Sequence, residues 1–317
     1  MFRRIASRIP DIAPTLMGGT WGGRGSLSAY ELALLSAPLP TALKSWEIQA
    51  TWQGYQKVLD GMLLRMGREI PVLDTLTDFL NMRSRTDLRH RRKILPLIFR
   101  AMGHMAENPR QSDRLLRIAG EVALMELEAA ALYRTYCIPA LVRGLMKTDK
   151  FRDYPIQRMM GTYMFLITMF QYPIDDPKVL KGLRIVNRMH HSLGLAGVET
   201  ETERDLMKYI GLNLFQIGPA MRIDLTPAER QALCGIAVLV MQRMGLTIKA
   251  STLELEAFIA QYEAREFFDP NDPNSPRPEA IAIAQATQAA LKDLPVLSWR
   301  RIHSRVPHHV KNILKIE

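Results

Sequence analysis

The sequence predicts an all-α protein, and three observations lead to this prediction. Hydrophobic residues make up 47% of the 317 positions, which is enough to build a sizeable core. Residues that favour helices dominate, and eighteen methionines are spread along the chain. No segment alternates apolar and polar residues over the length of a strand between Asn-Gly or Asp-Gly turns, which is the pattern typical of hairpins.

Composition divides the chain into three parts. Residues 1–27 are rich in Gly, Pro and Arg and predict an irregular N-terminal arm. Residues 28–268 show helical periodicity with short connections, so their helices must pack against one another as a single large helical domain. Residues 269–317 begin with a Pro-rich loop and continue as a basic helical tail, which we expect to pack on the domain.

Prolines, glycines and capping residues mark where the helices begin and end. Thr226, Pro227 and Glu229 form the clearest start, because a threonine cap followed by a proline and then a glutamate is the pattern of a capping box. Gly120 leaves open whether the helix around it is one piece or two. Helices are predicted at about 28–36, 40–66, 71–82, 112–136, 139–146, 155–170, 177–195, 202–215, 227–245 and 252–265, with one ending near 107 and others within 279–317.

Two adjacent apolar helices carry the polar residues with the clearest functional signal. On the first, Arg158 and Thr162 are four residues apart and therefore lie on one helix face, which Phe165 and Met169 continue. One side of this helix thus changes from charged to apolar. Such a face makes a poor hydrophobic core but a good lining for a buried cofactor that has both polar and apolar parts.

The second helix carries two consecutive histidines, His190 and His191. At about 100° per residue, one of them shares a face with the apolar side chains of the helix, and the other falls at its edge. The residues on the apolar face are Val179, Leu183, Val186, His190 and Leu193. His190 is therefore the candidate metal ligand.

A lone histidine on an apolar face is more often a core residue than a ligand, but the neighbouring Arg158 favours ligation. A buried guanidinium is costly unless an anion neutralises it. A haem would supply that anion with its propionates, while its iron would take the imidazole of His190. Its porphyrin would contact apolar side chains, and we expect Phe165, Met169 and Val186 to supply these contacts.

Other catalytic arrangements lack the motifs that they need. A di-iron carboxylate bundle requires two Glu-x-x-His motifs, and the nearest match is Asp87-x-x-His90. The sequence contains neither a His-Glu-x-x-His zinc motif nor a Gly-x-Ser-x-Gly nucleophile turn. We interpret Glu121, Glu126 and Glu128 as helix-surface or ion-pair residues.

Taken together, these segments resemble the catalytic domain of the mpaB-type oxygenases, relatives of the latex-clearing rubber oxygenases. The similarity covers about residues 133–274, and the order and spacing of its pieces carry it. The pieces are Tyr133-Arg-Thr-Tyr-Cys-Ile-Pro139, Arg158-x-x-Gly-Thr162, Val186-Asn-Arg-Met-His190, Asp205-Leu-Met-Lys-Tyr-Ile-Gly-Leu-Asn-Leu-Phe215, Leu225-Thr-Pro-Ala-Glu229, Arg243-Met-Gly245 and Tyr262-Glu263.

The resemblance implies a globin-like helical core that binds haem b. It further implies that His190 is the proximal iron ligand and that Arg158 and Thr162 are catalytic residues beside the haem. The implied activity is the oxidation or oxidative cleavage of an apolar, isoprenoid-like substrate with dioxygen. A helical haem- or lipid-binding protein without catalytic activity is the alternative, because a histidine can hold iron in a pocket that does not support oxygen chemistry. A second alternative is a basic interaction protein without a cofactor.

The net charge of +10 raises the question of an anionic partner. The densest group of cations is the run Arg83-Ser-Arg-Thr-Asp-Leu-Arg-His-Arg-Arg-Lys93, which is typical of a solvated helix face. We expect its last cations, Arg89, Arg91, Arg92 and Lys93, to make peripheral contact with an anionic membrane surface. We expect no nucleic-acid partner, because no nucleic-acid-binding motif accompanies the run.

Several features predict a cytoplasmic protein with at most a peripheral membrane contact. The longest apolar runs are far shorter than the roughly 18–20 residues that cross a bilayer. Prolines and an aspartate interrupt the N-terminal segment where an export signal would need an apolar stretch. The only cysteines, Cys137 and Cys234, lie in apolar helical contexts, which suits a reducing compartment.

Overall fold

The computed structural model describes residues 44–68, 112–147, 172–192, 201–214, 225–269, 271–292 and 297–317, together with separate positions within 33–36 and 154–169. Among these residues the regular structure is helical and no strand occurs, so the all-α prediction is confirmed. The arm expected at 1–27, the helix expected at 71–82 and the basic run at 83–93 lie outside the described residues. The division of the chain at residue 268 stays a prediction.

Ten helices lie within the described ranges, and we number them in chain order. They are α1 (Ser45–Arg68), α2 (Ser112–Thr135), α3 (Pro139–Met146), α4 (Pro177–Ser192), α5 (Glu201–Leu214), α6 (Pro227–Arg243), α7 (Thr252–Glu266), α8 (Arg277–Lys292), α9 (Trp299–Arg305) and α10 (His308–Leu314).

Capping residues fix the starts of two central helices. At α6 the Thr226 hydroxyl accepts a hydrogen bond from the backbone N of Glu229 at 3.3 Å, and the Glu229 carboxylate accepts one from the backbone N of Thr226 at 2.8 Å. This is the capping box that the sequence predicts. Ser251 and Glu254 form a second capping box at the start of α7.

Glycines let three helices approach closely. A Cβ at Gly120 would overlap the carbonyl oxygen of Leu63, so the backbones of α1 and α2 are in direct contact at this point. A Cβ at Gly235 on α6 would overlap the ring of Tyr55 on α1. Gly120 therefore serves packing and does not interrupt α2, which is one continuous helix.

A hydrophobic core runs through the described helices, with α6 at its centre. Residues 232–241 of α6 are all buried, as expected for a helix that is apolar on every side. The helices α1, α5 and α7 pack against α6, and α2 packs on α1 and α5. This arrangement places the middle and the C-terminal end of α2 deep inside the molecule.

The C-terminal helices close the fold over α2. The helix α8 packs against α3, α9 and α10, while α9 and α10 both contact α2. Within the described ranges, no helix combines the length and the apolar character that crossing a bilayer requires.

Candidate functional site

Four predicted site residues have described side chains. Thr162 and Phe165 are helical and half-buried, and Met169, on the same segment, is 1% exposed. Val186 is half-buried on α4. The apolar part of the predicted lining thus lies at the edge of the core and not on the open surface.

The structure shows less of the two residues that are predicted to bind the iron and a propionate of the haem. Arg158 lies outside the described residues. The backbone of His190 belongs to α4, one helical turn after Val186, but its side chain lies outside the description, as does that of His191. Ligation by His190 and not His191 stays a prediction.

A direct contact joins the two helical segments that carry these residues. The Cδ2 atom of Phe165 lies 3.1 Å from the place that a Cβ of Gly182 would occupy. The Phe165 ring therefore packs on the backbone of α4, beside the buried side chains of Val179 and Leu183. The segment around 162–169 and the inner face of α4 thus share one patch of core.

The described side chains fit the apolar part of a haem contact. Phe165, Met169 and Val186 offer aromatic, thioether and aliphatic surface, and these are the kinds of group that line a porphyrin pocket. Val186 is only half-buried, so this patch retains surface that another group could cover. Among the described residues, no three His, Cys, Asp or Glu side chains are grouped as a site for a bare metal ion.

A buried polar cluster that the sequence analysis did not identify lies where α2, α5 and α7 meet. Arg134 is 0% exposed, and its Nε donates a hydrogen bond to Oε1 of Glu263 at 2.7 Å. The Nη2 atom of Arg134 also forms an ion pair with this carboxylate. The hydroxyl of Tyr209 donates a second hydrogen bond to Glu263 Oε1, at 2.8 Å. One carboxylate thus ties three helices together.

The surroundings of this cluster keep its neighbours protonated. Burial raises the pKa of the Tyr209 phenol well above its ordinary value, and the charge of Glu263 adds to this effect while Arg134 opposes it. Burial and Glu263 also raise the pKa of the Cys137 thiol, against the opposing effect of Arg134. Tyr209 is therefore a neutral hydrogen-bond donor, and Cys137 is not an activated nucleophile.

The cluster joins three of the segments that carry the resemblance to mpaB-type oxygenases. Arg134 lies in the first of these segments, Tyr209 in the one that begins at Asp205, and Glu263 in the last. The sequence does indicate that Arg134 is buried, because it follows the apolar stretch at 129–133 and has no acidic residue three or four positions away. Its partner lies 129 residues away, however, and no spacing rule identifies such a partner.

A second buried carboxylate, Glu126, holds the C-terminal helices. Its oxygens accept hydrogen bonds from Nε and Nη2 of Arg301 at 2.8–3.1 Å and from the backbone N of Ser298 at 2.8 Å. Glu126 is 0% exposed, so the ion-pair interpretation of this residue is confirmed and the surface one is wrong. Glu128 is also buried.

A polar cleft of about 550 Å³ opens between α5 and residues 245–250, which connect α6 to α7. Lys208 lines it with its Nζ 3.7 Å from the centroid of the Phe258 ring. Burial lowers the pKa of Lys208, although the carboxylates of Asp205 and Glu254 oppose this shift. Five of its ten lining residues are charged, so the cleft does not offer the continuous apolar surface that an isoprenoid-like substrate needs.

In comparisons with known proteins, the chain matches no family model, no curated protein and no solved structure. The resemblance to mpaB-type oxygenases stays a prediction, and it rests on the residues quoted above.

Proposed function

We propose that this protein is a haem b-dependent oxygenase that uses dioxygen to oxidise or cleave an apolar, isoprenoid-like substrate. The observation that carries the proposal is the packing of Phe165 on Gly182. It makes neighbours of the two segments on which sequence reasoning locates the haem lining. The same patch offers the apolar surface that both a porphyrin and an apolar substrate require.

The spacing around this contact supports a site shared by Arg158 and His190. Helices joined by a short connection run antiparallel, so a step back along one corresponds to a step forward along the other. Arg158 precedes Phe165 by seven residues and His190 follows Gly182 by eight, so the helical periodicity of the sequence predicts that each is about two turns from the contact. We therefore propose that the imidazole of His190 and the guanidinium of Arg158 lie opposite each other on the two neighbouring helices.

Each residue of the proposed site has a separate task. His190 would hold the iron of the haem, and Arg158 would neutralise a propionate or a polar oxygen species. Thr162 would lie beside the haem as a hydroxyl donor, while Phe165, Met169 and Val186 would contact the porphyrin. When bound, the haem supplies the chemistry that activates dioxygen. A globin-like pocket in a cytoplasmic protein completes the proposal.

The visible absorption spectrum of the purified protein tests the cofactor. We expect the intense haem band in the native protein and in His191→Ala, but not in His190→Ala, because only position 190 shares the apolar face of α4. Equal loss of haem from both variants would contradict the assignment of His190. A native protein that binds no haem even after incubation with hemin would contradict the cofactor itself.

Consumption of dioxygen tests the activity and separates it from the alternative, a non-catalytic haem- or lipid-binding protein. We expect the haem-loaded protein to consume dioxygen when prenylated test substrates are added. We expect Arg158→Leu to lose haem affinity or activity while circular dichroism shows little loss of helix. Haem binding without dioxygen consumption would favour the alternative, and a fully active Arg158→Leu would remove Arg158 from the site.

A further inference from the structure

The outer face of α4 carries a stripe of cations with an exposed aliphatic residue among them. Ile185 is 59% exposed, although it is a large hydrophobic residue. Four exposed basic residues surround it on the same helix: Lys178, Lys181, Arg184 and Arg188. With 3.6 residues per turn, these five positions fall within an arc of about 120°, opposite Val179 and Leu183.

Three of the four cations of this stripe have no partner among the described residues, while the Nζ atom of Lys178 lies 4.0 Å from the centroid of the Tyr172 ring. No hydrogen bond or ion pair to the side chain of Lys181, Arg184 or Arg188 occurs in the described part of the chain. The helix α4 contains no acidic residue. Of the two carboxylates just before it, Asp175 pairs with Arg243, and Asp176 accepts a hydrogen bond from the backbone N of Lys178 at the start of α4.

Six arginines on other helices differ in this respect, whereas the exposed Arg68, Arg143 and Arg300 likewise form no ion pair with a described residue. Each of the following forms an ion pair with a described carboxylate: Arg65, Arg134, Arg230, Arg243, Arg265 and Arg301. Exposure alone does not account for the contrast, because Arg265 has a side chain that is 58% exposed and still pairs with Asp205. Among the described residues, Lys181, Arg184 and Arg188 thus have no carboxylate that competes with an external anion.

We propose that the outer face of α4 binds an anionic lipid surface, with its cations on the headgroups and Ile185 entering the interface. Clustered cations are attracted to anionic headgroups, and an exposed apolar side chain among them gains free energy when it leaves water for the interface. The proposal does not rest on haem binding or on oxygenase activity. It assigns the membrane contact to a surface other than the basic run at 83–93.

The aliphatic residue favours lipid over other anionic partners. A nucleic acid would satisfy the cations but would leave Ile185 against phosphates, where its exposed surface gains nothing. A second copy of this chain is disfavoured at the same face, because a symmetric contact would bring the four cations of one copy against those of the other. A bilayer interface satisfies both the cations and the aliphatic side chain.

Sedimentation with mixed phosphatidylcholine–phosphatidylserine vesicles tests the proposal, with pure phosphatidylcholine vesicles as the uncharged control. A cation near an anionic leaflet contributes about a fivefold gain in affinity, so the triple variant Lys181→Gln/Arg184→Gln/Arg188→Gln is expected to bind roughly a hundredfold more weakly. The matched control is Lys57→Gln/Lys249→Gln/Arg300→Gln, which removes the same charge from three exposed positions on other elements.

We expect the control variant to keep its affinity within about fivefold, because screening limits the effect of distant charges. Ile185→Ser is expected to weaken binding about fivefold to tenfold through lost apolar burial, while Leu253→Ser, at an exposed leucine of α7, is not. Unchanged binding of the α4 triple variant would overturn the proposal. Equal losses in the two triple variants, or tighter binding to duplex DNA than to the vesicles, would also overturn it.

Discussion

The helices α2 and α4 place their charged residues in opposite ways. On α2, the charged residues Glu126, Glu128 and Arg134 are at most 1% exposed. On α4, every basic residue with a described side chain is exposed, and the described side chains that are buried, Val179 and Leu183, are apolar. Both helices are amphipathic in composition, but only α2 turns charge towards the core.

The difference separates two uses of charge. A charge inside the core must be paired, so the partners of Glu126 and Arg134 are part of the fold and hold other helices in place. A charge on the outer face of a helix adds little to stability, so it is free to meet a partner. Substitutions on α2 should therefore change the free energy of unfolding, and substitutions on α4 should change binding.

Arg134→Leu should have the largest effect on stability. It leaves the Glu263 carboxylate beside Tyr209 without its cation, and the loss of one partner from a buried pair costs about 3–5 kcal/mol. Urea unfolding followed by circular dichroism measures the loss. Arg134→Leu/Glu263→Leu should recover most of it, because two apolar side chains need no pairing. If Arg134→Leu were as stable as the native protein, the ion pair between Arg134 and Glu263 would not be what holds these helices together.

Gly120→Ala should destabilise the contact between α1 and α2. Its Cβ would overlap the Leu63 carbonyl oxygen, and overpacking of this kind costs about 1–3 kcal/mol. The control is Gly61→Ala, where a Cβ meets nothing within 4 Å. This control should gain about 0.5–1 kcal/mol through its higher helix propensity. Thermal unfolding of the two variants should therefore shift in opposite directions, and a shift in the same direction would contradict the close approach.

Tyr209→Phe should reduce the sensitivity of the fold to alkaline pH. The pKa of Tyr209 is raised in the folded protein, whereas in the unfolded chain the phenol ionises near pH 10. Its stabilising effect is thus complete below about pH 10 and is lost as the pH rises towards the folded pKa.

Urea unfolding at a series of pH values from about 8 to 11 tests this effect. At neutral pH the variant should lose about 1 kcal/mol, because a hydrogen bond to Glu263 is removed. As the pH rises from about 8 to about 11, the free energy of unfolding of Tyr209→Phe should fall less than that of the native protein. Tyr154→Phe, at an exposed tyrosine, is the control. Identical pH profiles for the native protein and Tyr209→Phe would contradict the role of Tyr209.

The triple variant of α4, Lys181→Gln/Arg184→Gln/Arg188→Gln, should have the smallest effect on stability. Its side chains are exposed and make no described ion pair, so the free energy of unfolding should change by less than about 0.5 kcal/mol. Unfolding in urea, measured without vesicles, gives this value. A loss above about 1 kcal/mol would show that these charges belong to the fold and would erase the contrast with α2.

Local patterns predicted the helices well, because their causes lie within a few residues. The bounds of α3 at Pro139 and Met146 and the capping box at Thr226 match the sequence predictions. The role of Gly120 could not be predicted, since a glycine that allows a close helix contact looks the same in sequence as one that ends a helix.

The candidate site could be predicted only in part, because its contacts differ in sequence separation. Helical periodicity predicted that Phe165 and Met169 lie on one face, because that relation is local, but it did not predict that Phe165 packs on Gly182. The contacts of Glu263 with Arg134 and Tyr209 span 129 and 54 residues. Periodicity shows that a charged residue faces inward, but the partner is chosen by the tertiary packing of α2, α5 and α7.

The contact between Glu126 and Arg301 also has a consequence for biosynthesis. The two residues are separated by 175 positions, so the ribosome delivers the carboxylate long before its guanidinium partner. Until residues 298–301 have emerged, the oxygens of Glu126 lack both the backbone N of Ser298 and the side chain of Arg301. Translation of the first 297 residues therefore cannot complete the packing around α2. In a nascent chain that pauses before that point, the Glu126 carboxylate has no cation to pair with, and the surface of α2 that α9 will cover stays exposed. We expect chaperones to bind such a chain, because they recognise exposed apolar surface.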